Sequence, residues 1–211
     1  MATAGAELRA TWRGTWDEPM RDACRTALAR HASTRERIDE LDRFYPEVWE
    51  AVGSIPRSVL DLACGLNPLA LPFMGLHPSA EYAACDVDGR VLEEVDAFLA
   101  LVGQPHRTWA CDLVDGAPAH AADVALLLKT VPLLDRQEPT AARRVLAASR
   151  TSHAVVSFPA RSLGGRGRLE ATYRSRMGVL IAELDGRVTS STELRFRSEL
   201  VYVLALASLD G

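Results

Sequence analysis

The sequence predicts an α/β protein, with a seven-stranded, mostly parallel sheet, helices on both faces, and a short helical extension at the N-terminus. Three observations carry this. From residue 58 onward, short apolar runs end in polar or turn residues, as parallel strands buried on both faces do. Helix-length segments with capping residues separate these runs. After the Gly-rich stretch SLGGRGR (162–168) the order changes to a helix followed by two strand-like runs, which suits an antiparallel pair closing the sheet. Ligands of such sheets lie outside the carboxyl ends of the strands near the switch point, so the strand ends are where chemistry is expected.

Residues 1–52 read as the helical extension and 53–211 as the main domain. In ELRATWRGTWDEPMRDACRTALAR (7–30), Leu8, Trp12 and Trp16 recur at i, i+4 and i+8 with Arg9 and Arg13 beside them. That is the stripe of a helix that docks on a partner or packs over the main domain. HASTRERIDELDRFY (31–45) reads as a densely charged helix. Its charges either pair along an exposed face or turn toward a neighbouring ligand.

The expected parallel strands are SVLDLA (58–63), EYAACD (81–86), HRTWACD (106–112), DVALLLK (123–129) and HAVVSF (153–158). Between them fall helices at Pro68–Met74, from an Asp88 N-cap to Val102, and at Pro139–Ser149. The last helix is expected over Leu169–Leu184. An Asp185-Gly186 turn then leads into VTSSTELRF and ELVYVLALAS (199–208), the antiparallel pair.

Composition narrows the function. A 48% hydrophobic content supports a sizeable core. No run of about 18 apolar residues occurs and MATAGAELRATWRG lacks the order of a secretory signal, so a cytoplasmic protein with no membrane partner is expected. Cys24, Cys64, Cys85 and Cys111 show no C-x-x-C spacing and suit buried thiols, with neither disulfide nor metal. The net charge of −4 does not advertise nucleic-acid binding, and Lys129 is the only lysine among 24 basic residues. The arginines do cluster: Arg161, Arg166, Arg168, Arg174 and Arg176 form one dense stretch, interrupted only by Glu170.

The first strand ends in SVLDLACGLNPLAL (58–71), where Gly65 lets a ligand approach the backbone and Pro68 suits the first turn of a helix. Asp86 follows 21 residues later at the second strand end, placed for ribose hydroxyls, and Asp112 ends the third, within reach of an adenine amino group. Each Asp alone also suits a turn or cap. A dinucleotide would want G-x-G-x-x-G, and only Gly65 is present. S-adenosylmethionine has no phosphate to cradle and fits better, with Asp61 placed for its cationic amino end.

Together, HASTRERIDELDRFY, VLDLACGLNPLAL, LLLKTVPLLDRQE (126–138) and VVSFPARSLGGRGRLEATYRSRM (155–177) resemble the aminoglycoside-resistance 16S ribosomal RNA methyltransferases, which modify a guanine N7. The resemblance runs in order from about residue 31 to the C-terminus. It implies a Rossmann-like class I methyltransferase fold and S-adenosylmethionine as cofactor. The implied cofactor residues are Asp61, Ala63, Gly65, Asp86, Asp112, Leu113 and Lys129, with Arg35 or Arg37 on the cofactor carboxylate. Lys129 at the fourth strand end stands ready for the target base or an RNA phosphate, Phe158 and Tyr173 suit either stacking on an extruded base or a place in the core, and Arg161, Arg166 and Arg168 suit RNA phosphates. Guanine N7 carries a free lone pair, so the absence of a Ser/His/Asp set or paired carboxylates is consistent, and His31 and His153 suit packing or hydrogen bonding. The expected partner is 16S ribosomal RNA in the 30S subunit, with no DNA partner and a monomeric state. One departure stands: only about thirty residues precede the S-T-R-E-R element, fewer than the family carries for docking. A non-catalytic cofactor- or RNA-binding relative, or a methyltransferase for another RNA or a small metabolite, remain as alternatives.

Overall fold

The five apolar runs and the two later strand-like runs all form strands: β1 (Ser58–Leu62), β2 (Glu81–Asp86), β3 (His106–Ala110), β4 (Ala121–Leu128), β5 (Arg150–Pro159), β6 (Val188–Arg195) and β7 (Glu199–Leu206). The structure is a computed structural model and describes residues 4–160 and 166–209. The strands lie in the order β3-β2-β1-β4-β5-β7-β6, and the first five are mutually parallel. The order reverses between β1 and β4, which makes their carboxyl ends the switch point. β7 runs antiparallel to β5, pairing Glu199 with Pro159. Its first residue therefore lies at the same end of the sheet as the carboxyl ends of the parallel strands.

The helices are α1 (Ala4–Thr11), α2 (Glu18–Leu28), α3 (Ala32–Arg35), α4 (Leu41–Val52), α5 (Leu71–Met74), α6 (Gly89–Val102), α7 (Val131–Gln137), α8 (Ala141–Ala148) and α9 (Arg166–Glu183). Asp88 caps α6 by accepting from the Arg90 N–H at 3.0 Å, as its position before the helix predicts. The sequence reading missed α7, because VPLLDRQ is too short to show helical periodicity and follows a strand directly.

Two expectations for the N-terminal region are corrected. The Leu8, Trp12, Trp16 stripe is not one helix: α1 ends at Thr11 and Gly14 turns the chain at φ +85°. The turn folds Trp16 onto Trp12, with ring centroids 4.8 Å apart, and toward Phe98 of α6 at 6.4 Å. Leu8, Met20 and Leu28 then join the same buried cluster as Phe98, Leu69 and Tyr82. Burial of that size is worth about 1.5–3 kcal/mol per large side chain, which fastens the extension to the sheet's helical layer.

Residues 31–45 are likewise no continuous helix, but α3, a 3-10 turn at Ile38–Glu40, and α4. The break has tertiary causes. Thr34 donates its hydroxyl back to the Leu28 carbonyl at 2.6 Å. The Glu40 carboxylate accepts from the Arg197 and Ser198 N–H groups at 2.7 and 3.0 Å and from the Ser198 hydroxyl at 2.9 Å. Both anchors fix the segment against its surroundings rather than along a helical axis. Among the described residues no helix is long and apolar enough to cross a membrane.

Candidate active site

The bend after β1 is built for close approach. Ala63 and Gly65 take positive φ of 53° and 50°, a conformation that costs a non-glycine residue on the order of 1 kcal/mol and persists only where neighbours hold it. They do hold it. The Cys64 N–H donates to the Cys85 carbonyl at 3.0 Å and the Gly65 N–H to Asp86 Oδ2 at 2.9 Å, while Asp86 Oδ1 accepts from the Asp88 N–H at 3.0 Å. The Cys111 N–H donates to the Asp86 carbonyl at 3.0 Å, and Asp112 beyond it is exposed, its carboxylate accepting from the Val114 N–H at 2.9 Å and its carbonyl from the Asp115 N–H at 3.2 Å. Leu113 is buried next to it. Ala63, Gly65, Asp86, Asp112 and Leu113 thus meet along the ends of three adjacent strands.

Beneath this rim runs a buried polar chain. Asn67 Nδ2 and the Tyr82 hydroxyl each donate to Asp61 Oδ2 at 2.8 Å. Asn67 Oδ1 accepts from the Tyr45 hydroxyl at 2.6 Å and from Arg37 Nη1 at 2.8 Å. Arg37 grips Glu199 with Nε at 2.7 Å and Nη2 at 2.8 Å, its guanidinium 4.3 Å from the centre of the Phe44 ring. Ser157 donates to Glu199 at 2.6 Å and accepts from the Lys129 N–H at 3.0 Å. The Lys129 ammonium donates to Glu36 Oε2 at 2.6 Å and the Ser33 carbonyl at 2.8 Å, and lies 3.5 Å from Glu199.

The electrostatics follow from burial and pairing. Glu199 is fully buried, which disfavours its charge, yet Arg37 and then Lys129 hold its carboxyl below the usual range. Arg37 is 2% exposed, and Glu199 overcomes the burial to raise its pKa above the ordinary value. Asp61 has no such rescue: burial pushes it up to about 7, against the hydrogen bonds from Asn67 and Tyr82 and the charge of Arg37.

The result is that the Ser33–Arg37 segment is pinned across the strand ends. Lys129 ties it to β4, Arg37 ties it to β7, and His31 lies over the bend, where a Cβ on Gly65 would stand 3.5 Å from its Cε1. The model of FmrO, a ribosomal RNA methyltransferase family, matches residues 7–203. The chain belongs to this family. A 16S rRNA (guanine(1405)-N(7))-methyltransferase of Frankia casuarinae is 43% identical over 189 residues, which are 87% of this chain and 65% of that protein. One of the same name from Micromonospora echinospora is 38% identical, with 89% and 68% covered. The chain thus spans about two thirds of the length of these relatives. The crystal structure of the 16S rRNA methyltransferase RmtF in complex with S-adenosyl-L-homocysteine superposes with a TM-score of 0.79 at 34% identity, covering 97% of this chain and 76% of that one. The fold is the Rossmann-like class I methyltransferase fold.

In this FmrO-family chain the charged segment 31–45 pairs mainly outside itself, its internal ion pair being a 4.0 Å contact between Glu40 and Arg43 among the described residues. Glu36 goes to Lys129, Arg37 to Glu199 and Glu40 to the 197–198 backbone, whereas Arg35 is exposed and has no ion pair among the described residues. Arg37, the other candidate for the cofactor carboxylate, is fully committed to Glu199 and Asn67. Asp61 is 1% exposed and acts on the site through Asn67, which corrects the expectation that it faces a ligand's amino end. Lys129 is only 9% exposed, with its ammonium on Ser33 and Glu36, so it positions that segment rather than standing free for RNA. Phe158 is fully buried, stacked on Tyr173 with centroids 4.8 Å apart. It is a core residue, which corrects the expectation of an open stacking face.

The arginine cluster is also revised in space. Arg174 pairs with Glu193 of β6 at 2.6 Å, and Arg176 with Asp135 of α7 at 2.7 Å, so neither is a free basic group. Arg161 lies outside the described residues, as do the side chains of Arg166 and Arg168 in the first turn of α9. Sequence reasoning missed Glu199, Asn67 and Glu36. Asn67 alone carried a signal, standing two residues after Gly65 in the strand-end bend.

Proposed function

We propose that the chain transfers a methyl group from S-adenosylmethionine to a guanine N7 of 16S ribosomal RNA. The observation that supports this is the pinning of the Ser33–Arg37 segment over the Gly65 bend; within that segment Arg35 is exposed and has no ion pair among the described residues. The residues present fit the cofactor: Ala63 and Gly65 for backbone approach, Asp86 for ribose hydroxyls, Asp112 and Leu113 around adenine, and Arg35 for the carboxylate. The family and the relatives' names support the substrate. When bound, S-adenosylmethionine supplies an electrophilic methyl group. Guanine N7 is unprotonated at neutral pH, so this chain's residues need only orient and desolvate the partners, without a general base. In this reading residues 53–211 form the cofactor domain and 1–52 the extension, and the protein works as a cytoplasmic monomer on the 30S subunit. Arg161, Arg166 and Arg168 contact RNA phosphates, and aminoglycoside resistance follows.

Radiolabelled methyl transfer to isolated 30S subunits, naked 16S RNA and a metabolite extract tests this. Label in guanine N7 of the 30S particle is expected, and label confined to the extract, or none anywhere, would refute it. For the cofactor site, Asp86→Ala should weaken S-adenosylmethionine binding by about one to two orders of magnitude, the loss of charge-assisted hydrogen bonds, as read by calorimetry. Unchanged affinity removes Asp86 from the ribose. Arg35→Ala should cost roughly tenfold or more against S-adenosylmethionine and leave adenosine binding as it was, since only the former has a carboxylate. Equal losses for both ligands would take the role from Arg35.

A further inference from the structure

Reactivity at N7 does not by itself select guanine, because adenine also carries an unprotonated N7. A site that turns N7 toward the methyl donor must read the base along its remaining edge, which in guanine presents the N1–H and the N2 amino group as donors beside the O6 acceptor. Adenine presents an amino donor at C6 and an unprotonated N1 instead. An anionic acceptor at the methyl end of the cleft therefore tells the two bases apart.

Glu36 meets that description. Its Oε2 accepts from Lys129 Nζ at 2.6 Å, while its Oε1 has no partner among the described residues. Its side chain is 42% exposed although the lysine that holds it is buried, so the carboxylate is anchored through one oxygen and open at the other. Lys129 is itself saturated, with the Ser33 carbonyl at 2.8 Å and Glu199 at 3.5 Å. It directly follows β4, and the hydroxyl of the next residue, Thr130, donates to the Leu62 carbonyl at the end of β1 at 3.4 Å. The Glu36 carboxylate is thus tied to the β1–β4 side of the Gly65 bend, whereas Asp86 ends β2 and Asp112 lies just beyond β3. The acids of the neighbouring polar chain are closed off: Asp61 is buried, Glu199 is buried, and Glu40 is held by the 197–198 backbone.

We propose that Glu36 selects the target base as guanine, accepting the N1–H and the N2 amino hydrogen on its carboxylate. On the methyl-transfer reading above, on which this role rests, adenosine over β2 and β3 leaves the sulfonium end of S-adenosylmethionine toward β1 and β4, the side to which Glu36 is tied. In the transfer the N7 lone pair forms the new N–CH3 bond as the S–CH3 bond breaks and its electron pair returns to sulfur, so the positive charge moves from the sulfonium to the purine. That charge makes the N1–H a stronger donor. Its bond to the carboxylate then tightens in the transition state and favours the reaction, not binding alone.

Labelled methyl transfer to reconstituted 30S subunits carrying guanine, hypoxanthine or adenine at the position the wild type methylates tests this in the wild type and in Glu36→Gln. Hypoxanthine, which lacks the N2 amino group, should lower the wild type's kcat/KM by about ten- to a hundredfold, the loss of one charge-assisted hydrogen bond. Adenine should lower it by about a thousandfold or more, because it sets a lone pair against the carboxylate. A glutamine amide donates to adenine N1 and accepts from its amino group, so Glu36→Gln should reduce the preference for guanine over adenine by roughly a hundredfold. An unchanged preference in Glu36→Gln would overturn the role even where the rate or Tm falls, since a structural loss slows both bases alike. Weaker binding of S-adenosylhomocysteine at an unchanged base preference, with 5′-methylthioadenosine bound as before, would assign the carboxylate to the cofactor's ammonium and overturn the base contact. Wild-type transfer to adenine subunits as fast as to guanine subunits would overturn this role alone, whereas no transfer to any subunit would remove the methyl-transfer reading and this role with it.

Discussion

Arg37→Met is expected to destabilise the protein by about 3–5 kcal/mol, the cost of stranding one member of a buried ion pair. In the wild type, Glu199 is fully enclosed and receives three donors in addition to the nearby Lys129 ammonium: two from Arg37 and one from Ser157. Methionine fills much of the arginine's volume over Phe44 but leaves the carboxylate with one hydroxyl and the Lys129 ammonium at 3.5 Å. At about 2–4 °C per kcal/mol for a chain of this size, Tm should fall by roughly 6–20 °C. The double variant Arg37→Met/Glu199→Gln should recover part of that loss, because a neutral amide still pairs with Ser157 and carries no stranded charge. Denaturant titration of the three variants reads the coupling directly. A single variant within about 1 kcal/mol of wild type would show that the pair is not a stability determinant. Because the same pair fixes the Ser33–Arg37 segment, S-adenosylmethionine affinity should fall together with stability in Arg37→Met.

Asp61→Asn should change how stability depends on pH more than it changes stability at any one pH. Burial raises the folded-state pKa of Asp61 to about 7 from an ordinary value of 3.8. Between those values the folded protein holds a proton that the unfolded chain has released, so this group's contribution falls as pH rises through the window. At about 1.4 kcal/mol per pKa unit, the asparagine variant should gain on wild type by a few kcal/mol between pH 4 and pH 8. Asparagine keeps an acceptor for the Asn67 and Tyr82 donors that now meet Asp61 Oδ2. Glu199 acts with the opposite sign: its pKa is depressed, so its contribution is present at neutral pH and is lost as pH falls through the folded-state value. Taking the difference between variant and wild type cancels that background. A difference that stays flat from pH 4 to pH 8 would place Asp61 as an ordinary ionised carboxylate.

The local features were legible in the chain because their causes are local. Alternation and apolar runs marked every strand, β2 to the residue, and the N-cap rule found Asp88. The Gly65 bend and the acid 21 residues later are joined in the structure by a single hydrogen bond. The partners of charges were not legible. Glu199 stands 162 residues from Arg37 and reads in sequence as an unremarkable strand start; only the antiparallel direction of β7 carries it to the cofactor end of the sheet. Arg174 and Arg176 look like a basic patch because the acids that neutralise them come from β6 and α7. Phe158 looks like a stacking surface at a strand end until Tyr173 of α9 covers it. Propensities, caps and glycine bends are set by a residue and its neighbours within a turn, so the sequence determined the elements and their strand-end bends. Which charge is buried, which is paired and which stays free is set by strand direction and helix docking, and that only the tertiary structure decided.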